Sequence, residues 1–338
     1  MTIYADVSEN DDYFSPLPSR RRATLPNPSL EAVNLTKQYN GFTALSNLNL
    51  KIEGSKCVGF LGPNGAGKTT TLKIFTDMIR ASEGEAFING ISVHENKRKA
   101  LESCGALIES PEIYPSLTPR EALSMVAEIR GLARQEKRSR IEEAVAEVKM
   151  EEWLDKKVGK FSKGMKQRIN IAAALLPEPD VLLLDEPTTG LDPRGMAEVR
   201  DIVKSLKRKN RLIFMSSHLL FEVSDVCDEV AMIDHGKLLV YDTLANVSSG
   251  TGGGNVVEVG LSRDLDAQIV NSQISSLPSV LSAESLDPRS IRIRFSGGNE
   301  NQERLLAELA AMKIGMISFR PSSSALENSY LDLIKNTK

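Results

Sequence analysis

Gly62-Pro63-Asn64-Gly65-Ala66-Gly67-Lys68-Thr69-Thr70 decides how this 338-residue chain is read. It fits the phosphate-binding pattern G-x-x-x-x-G-K-[ST]. The apolar run before it, Cys57-Val58-Gly59-Phe60-Leu61, predicts a buried strand, and Thr70-Thr71-Leu72-Lys73-Ile74-Phe75 can open a helix. Glycines let backbone N–H groups turn inward around phosphate oxygens, and a helix start adds its positive dipole end. Lys68 can reach the outer phosphates, and the Thr69 hydroxyl can hold Mg²⁺. A nucleotide site is the expectation.

Outward from that loop, Val181-Leu182-Leu183-Leu184 has no polar alternation, which predicts a parallel strand covered on both faces. Ligands of such sheets bind at the carboxyl ends of strands, where Asp185 and Glu186 follow. Asp185 can hold Mg²⁺ directly or through water, and Glu186 is placed to take a proton from a water attacking the last phosphate. A second buried run, Arg211–Met215, ends in Ser216-Ser217-His218, which puts His218 at a carboxyl end as well. His94 and His235 read as surface histidines, the latter in a hairpin turn with Gly236 over Met232–Leu239.

Upstream, Leu30–Lys37 and Leu45–Ile52 predict short strands around Asn40-Gly41, and Glu85–Asn89 and Ile91–Val93 a second pair around Asn89-Gly90. Tyr39 lies about twenty residues before the phosphate loop. By chemistry alone it also fits a packing aromatic at a strand end, and the residues do not choose. Residues 110–176 read as mainly helical, an inserted subdomain. Thr118-Pro119-Arg120-Glu121 is a capping box with proline at the first helical position. Ile141, Ala144, Val145 and Val148 form one apolar helical stripe.

Composition sets the remaining bounds. Hydrophobic residues at 41% and charged residues at 26% are ordinary for a soluble globular protein. The net charge of -3 gives no electrostatic argument for nucleic acid. Three cysteines without a C-x-x-C pair argue against a disulfide framework and a zinc site, and so for a cytosolic protein. Cys57, inside the strand, reads as a small buried hydrophobe. No apolar run approaches the roughly 18–20 residues of a membrane span, so any membrane role comes through a partner.

The organisation expected is a disordered tail over 1–28, a nucleotide-binding domain over 29–247 with its helical subdomain at about 110–176, a Gly/Ser linker at 248–254, and a small α+β domain over 255–338. In that last domain, Val256–Val259, Ile291–Phe295 and Met316–Phe319 read as strands, and Asp264–Ser276 and Glu300–Met312 as helices. The tail lacks an apolar signal region, and its Arg20-Arg21-Arg22 cluster reads as solvated.

Taken in order, residues 30–245 resemble the ATP-binding cassette of ABC transporters. The resemblance rests most on Phe161-Ser162-Lys163-Gly164-Met165-Lys166-Gln167-Arg168, which is similar to that family's signature sequence and stands a helix before the Asp185-Glu186 strand. Pro187, the Gly190-Leu191-Asp192-Pro193 loop and the terminal His218 are also similar. The implied fold is an α/β phosphate-loop NTPase cassette: a mixed parallel sheet core with an antiparallel β edge, the helical insertion, and here a small C-terminal α+β domain. The implied roles are adenine stacking for Tyr39, general base for Glu186 and γ-phosphate switch for His218. Ser162, Gly164 and Asp192 would contact ATP held by another cassette, the first two through a hydroxyl and N–H groups at a helix start. Asp192 equally suits an ordinary helix N-cap before Pro193.

The sequence departs from the family pattern in its signature and in one loop. Lys163 stands where the family commonly has Gly, and Met165 where it commonly has Gln. In Ala106-Leu107-Ile108-Glu109-Ser110-Pro111, Glu109 takes the place of a Gln that senses Mg²⁺ and relays to the membrane subunit. This resembles the variant loop of some antimicrobial-peptide immunity and drug-resistance exporters, and a carboxylate there adds negative charge near Mg²⁺. A solvated loop residue is the alternative for Glu109. Ser324–Leu333 is similar to the closing segment of exporter-type cassettes with a C-terminal extension.

The resemblance thus implies an ATP- and Mg²⁺-dependent ATPase, working as a dimer, with a homodimer sufficient, beneath a separate multi-span permease at the inner face of the cell membrane. The alternative is a soluble cassette ATPase acting on ribosomes or DNA. Relatives of that kind typically carry two cassettes or long coiled-coil or zinc inserts, which are not visible here.

Overall fold

Alternating and continuous apolar patterns separate this chain into different kinds of sheet. The computed structural model describes residues 27–109, 111–249, 255–265 and 269–321. These fall into two compact units, one of 27–218 with Ile233–Leu238, the other of Leu219–Met232 with the described residues from 239 to 321. The expected tail up to residue 26, Ser110, the linker residues 250–254 and the Ser324–Leu333 segment lie outside the described residues.

In the first unit, β1 (Ser29–Tyr39) and β2 (Phe42–Glu53) form a hairpin around Asn40-Gly41, with Gly41 at φ 79°. β4 (Glu83–Ile88) pairs antiparallel with β1, and the short β5 (Ile91–Ser92) with β4, giving the order β2-β1-β4-β5. Both hairpins match the expectation, the first running longer than its apolar core suggested. This is the antiparallel edge.

The catalytic sheet is different. β3 (Cys57–Leu61), β6 (Cys104–Leu107), β7 (Val181–Leu184) and β8 (Leu212–Ser217) lie parallel in the order β3-β8-β7-β6. Every residue of β3, β7 and β8 is buried, as continuous apolar runs require when both faces are covered. Leu184 is in register with Leu107 on one side and Met215 on the other, and Leu61 with Ser217. The carboxyl ends therefore form one row, from which Gly62, His218, Asp185 and Ile108-Glu109 emerge. The sequence reading missed β6, a four-residue strand with a central glycine.

Helices pack beside these strands. α1 (Lys68–Phe75) is pinned through Phe75, whose ring lies 6.3 Å edge-on to Phe214 of β8, itself 5.0 Å from Phe60 of β3. After α2 (Lys97–Glu102), the insertion comprises α3 (Pro119–Ile129), α4 (Arg134–Glu147) and α5 (Lys163–Leu175). The Thr118–Glu121 capping box opens α3, and Ile141, Ala144, Val145 and Val148 are all buried, as read from sequence. α6 (Pro193–Lys207) buries Val199, Ile202, Val203 and Leu206, one stripe at i, i+3, i+4, i+7.

The second unit begins with α7 (Leu220–Val226). β9 (Glu229–Asp234) and β10 (Lys237–Thr243) flank the His235-Gly236 turn, whose residues Ile233–Leu238 belong to the first unit, and α8 (Leu244–Ser249) follows. Then β11 (Asn255–Leu261), β12 (Val280–Asp287), β13 (Ser290–Phe295) and β14 (Met316–Pro321) form an antiparallel sheet in the order β12-β13-β11-β14. With the helical turn Val270–Ile274 after β11 and α9 (Asn299–Ala311) before β14, this is the split βαβ arrangement of ferredoxin-like domains. One face packs Val257, Val259, Ile291, Ile293 and Phe295 with Leu305 and Leu309 of α9. Of the helix expected over Asp264–Ser276, residues 266–268 lie outside the described residues and the helical part is Val270–Ile274. β12 was not expected: its Ser and Glu content and exposed Leu281 and Leu286 hide the strand pattern.

Candidate functional site

The row of carboxyl ends gathers the sequence-predicted residues into a single polar cluster. Gly67 closes the phosphate loop at φ 106°, and a Cβ there would come within 2.7 Å of the Ala44 carbonyl, so glycine alone fits. Lys68, only 5% exposed, donates to the carbonyls of Gly62 at 2.8 Å and Pro63 at 3.1 Å, and its ammonium lies 3.3 Å from the Glu186 carboxylate. A buried cation in this place is tolerated because every contact is an oxygen. Thr69 Oγ1 donates to Asp185 Oδ1 at 3.2 Å, and Thr71 ties α1 back to the Gly67 carbonyl. Asn64 and Gly65 are exposed at the tip, Ala66 is buried, and Thr70 is half-buried on α1.

Two residues that sequence reasoning passed over join Asp185 and Glu186. The Ser216 hydroxyl donates to Asp185 Oδ1 at 2.6 Å and accepts from the Glu186 N–H at 2.9 Å. The Thr189 hydroxyl donates to Glu186 Oε2 at 2.8 Å, and His218 Nδ1 lies 3.1 Å from the same oxygen. The signal for Ser216 was a hydroxyl inside an otherwise apolar strand. Thr189 gave no signal beyond its nearness in sequence. Burial pushes the Glu186 carboxyl up, but the Thr189 hydroxyl, then Lys68 and His218, outweigh it and hold the group below the usual carboxylate range. Its backbone adopts φ 43°, the left-handed region that residues with a Cβ enter only when neighbours hold them.

A second group forms at the start of two helices. Ser162 N-caps α5 by accepting the Met165 N–H at 3.2 Å, and Asp192 N-caps α6 by accepting the Gly195 N–H at 3.3 Å with Pro193 first in the helix. The capping reading of Asp192 holds, and Ser162 caps its helix in the same way. A Cβ on Gly164 would come within 3.2 Å of Gly195 Cα, so the two helix starts are in backbone contact.

Tyr39 and Glu109 stand elsewhere. Tyr39 ends β1, about half exposed, with the Lys37 ammonium 5.0 Å from its ring centroid. Glu109, at φ 54°, is engaged by Lys73 of α1 at 2.5 Å. The sequence reading put Glu109 toward Mg²⁺; in the structure its carboxylate pairs with the Lys73 ammonium.

A phosphate loop after β3, an acidic pair after the central β7 and a histidine after β8 define a phosphate-loop nucleotide hydrolase. The comparisons narrow this class. Residues 45–189 match the ABC transporter family. The bacitracin transport ATP-binding protein BcrA of Bacillus licheniformis is 42% identical over 211 residues, 62% of this chain and 68% of that protein. The linearmycin resistance ATP-binding protein LnrL of Bacillus subtilis is 30% identical over 310 residues, 91% of this chain and 99% of that one. A solved dimeric structure of a bacterial ABC transporter cassette, 25% identical, covers 64% of this chain and 98% of its own, with a TM-score of 0.57. The chain belongs to the family of ABC transporter ATP-binding proteins. It binds ATP and is an ATPase, the ATP-binding subunit of an ABC transporter. No helix among the described residues is long and apolar enough to cross a membrane.

Proposed function

We propose that this chain is the ATPase of a resistance-type exporter, closing as a homodimer over two ATP molecules at the inner face of the cell membrane and driving a separate multi-span permease. The cassette spans 29–247, with a distinct domain over 255–338. The observation that carries the catalytic part is the Lys68–Glu186–His218 cluster, backed by the shared Ser216 of Asp185 and Glu186. In this reading Gly62 to Thr70 cradle the phosphates, Tyr39 stacks on adenine, and Glu186 accepts the proton of the attacking water. His218 holds Glu186 and faces the γ-phosphate.

The donor set fits Mg²⁺. Thr69 Oγ1 and Asp185 Oδ1 are hard oxygens 3.2 Å apart, and Mg²⁺ beside a nucleotide takes one or two protein oxygens plus phosphates and water. When bound, the ion supplies charge neutralisation of the phosphates; Asp185 is held for that role by Ser216. Glu109 remains a candidate for the same region only on release from Lys73. Ser162, Gly164 and Asp192 would meet the second copy's nucleotide, and the dimeric relative supports that arrangement.

Export is supported by the functions named for BcrA and LnrL, bacitracin transport and linearmycin resistance, and by Glu109 in the variant loop. Pull-down of the tagged chain from membranes of its own cell tests this reading. A stoichiometric multi-span protein that raises the ATPase rate is expected; recovery with ribosomes or DNA at moderate salt would overturn it. Replacing Glu109 with Ala is expected to impair transport more than basal hydrolysis, and equal loss of both would remove its coupling role.

A further inference from the structure

α5 carries two buried amide side chains three residues apart, Gln167 at 5% and Asn170 at 6% exposure. Residues at that spacing share a helix face. Gln167 Nε2 donates to the Pro187 carbonyl at 2.8 Å, and Asn170 Nδ2 donates to the Pro111 carbonyl at 3.1 Å. Each proline sits just past one of the two acidic loop residues. Pro187 directly follows Glu186, and Pro111 is two positions after Glu109. Proline has no N–H, so its segment offers the helix only acceptors there. A polar side chain buried in this way is retained where its hydrogen bond fixes something.

Both acidic residues hold left-handed backbones, φ 43° at Glu186 and φ 54° at Glu109. Such conformations persist only when the surroundings over-determine them. α5 thus touches both loops through side-chain amides, while its first turn begins at Ser162 and meets α6 through Gly164 and Gly195. A thirteen-residue helix moves as one body, so whatever displaces Ser162 displaces the two amides.

We propose that Gln167 and Asn170 are positioning residues that couple the partner-facing end of α5 to the acidic loops of the chain's own site. Contact of Ser162 with the nucleotide of a second copy moves α5, and the two amides carry the Pro187 and Pro111 carbonyls, and with them Glu186 and the Glu109 loop, into or out of working position. Each site of the dimer is then set by the occupancy of the other. This rests on the dimeric reading proposed above.

The test uses the full-length chain with Gln167→Met, Gln167→Glu (size-matched but lacking the amide donor) and Asn170→Leu. ATPase rate is followed against ATP concentration, and binding of a fluorescent ATP analogue is titrated separately. With two coupled sites the wild-type Hill coefficient should approach about 2, and each variant should bring it toward about 1. kcat should fall about tenfold, in keeping with loss of one buried hydrogen bond, while analogue affinity stays unchanged. A cooperative wild type with variants equally cooperative would overturn the proposal and leave the dimeric reading standing. So would variants whose analogue affinity falls in step with kcat, since that marks general damage. A wild-type Hill coefficient of about 1 would overturn the coupling, since a dimer of independent sites gives that value, whereas sedimentation of the ATP-bound Glu186→Gln chain as a monomer would remove the dimeric reading.

Discussion

The carboxyl edge of the parallel sheet and the outer face of the C-terminal sheet are both rich in charged and polar side chains, yet they are built in opposite ways. At the parallel edge, Lys68, Ser216 and Ser217 are buried, and the acidic residues are held by several donors at once. On the C-terminal sheet, β11 and β13 alternate, so Glu258 and Arg292 point away from the apolar face, and Arg292 bridges Glu258 and the exposed Glu284. Buried polar networks fix geometry for chemistry; exposed ion pairs on a sheet face chiefly keep it soluble. The site lies where desolvation makes each contact count.

That contrast is most easily broken at Ser216. Replacing it with Ala leaves the Glu186 N–H without its acceptor and removes one donor from Asp185, at about 1–3 kcal/mol. A kcat lower by about tenfold, with nucleotide affinity nearly unchanged, is expected in steady-state kinetics. An unchanged kcat would make the hydroxyl incidental.

A pH series sharpens the same point. The Glu186 carboxyl is held below its ordinary 4.5, so the stability its contacts contribute is complete above that value and lost as pH falls through the lower folded value. The Tm difference between wild type and Glu186→Gln should therefore stay constant from neutral pH down to about 4.5 and shrink only below it. Shrinkage beginning near neutrality would mean that Glu186 is not held as described.

The smallest effect belongs to the other sheet. Arg292→Ala should leave kcat unchanged and lower Tm by no more than a few degrees, since partly exposed pairs contribute about 0–1 kcal/mol. A large loss of activity would show that the outer face takes part in the ATPase cycle.

Much of the fold was legible because it depends on local pattern. The buried run of β7, the glycine spacing of the phosphate loop, the Thr118 capping box and the α6 cap at Asp192 each declare themselves within a few residues. What stayed hidden depends on distant packing. Ser216 matters because β8 lies beside β7, thirty residues away in sequence, and Gln167 because α5 returns to Pro187. Glu109 draws attention in the sequence as a carboxylate where the resemblance implies a Gln, but its partner Lys73 is 36 positions away and no spacing rule points to it. β6 and β12 escaped because one is too short and the other too polar to carry a strand pattern.

The central claim is that Glu186 takes the proton from the attacking water while Lys68 and the loop hold the nucleotide. ATP hydrolysis by purified Glu186→Gln protein with Mg²⁺, beside titration of nucleotide binding, tests it most directly. The account predicts hydrolysis reduced by at least about a hundredfold with ATP still bound, as expected when a general base is removed. Hydrolysis at the wild-type rate would contradict it.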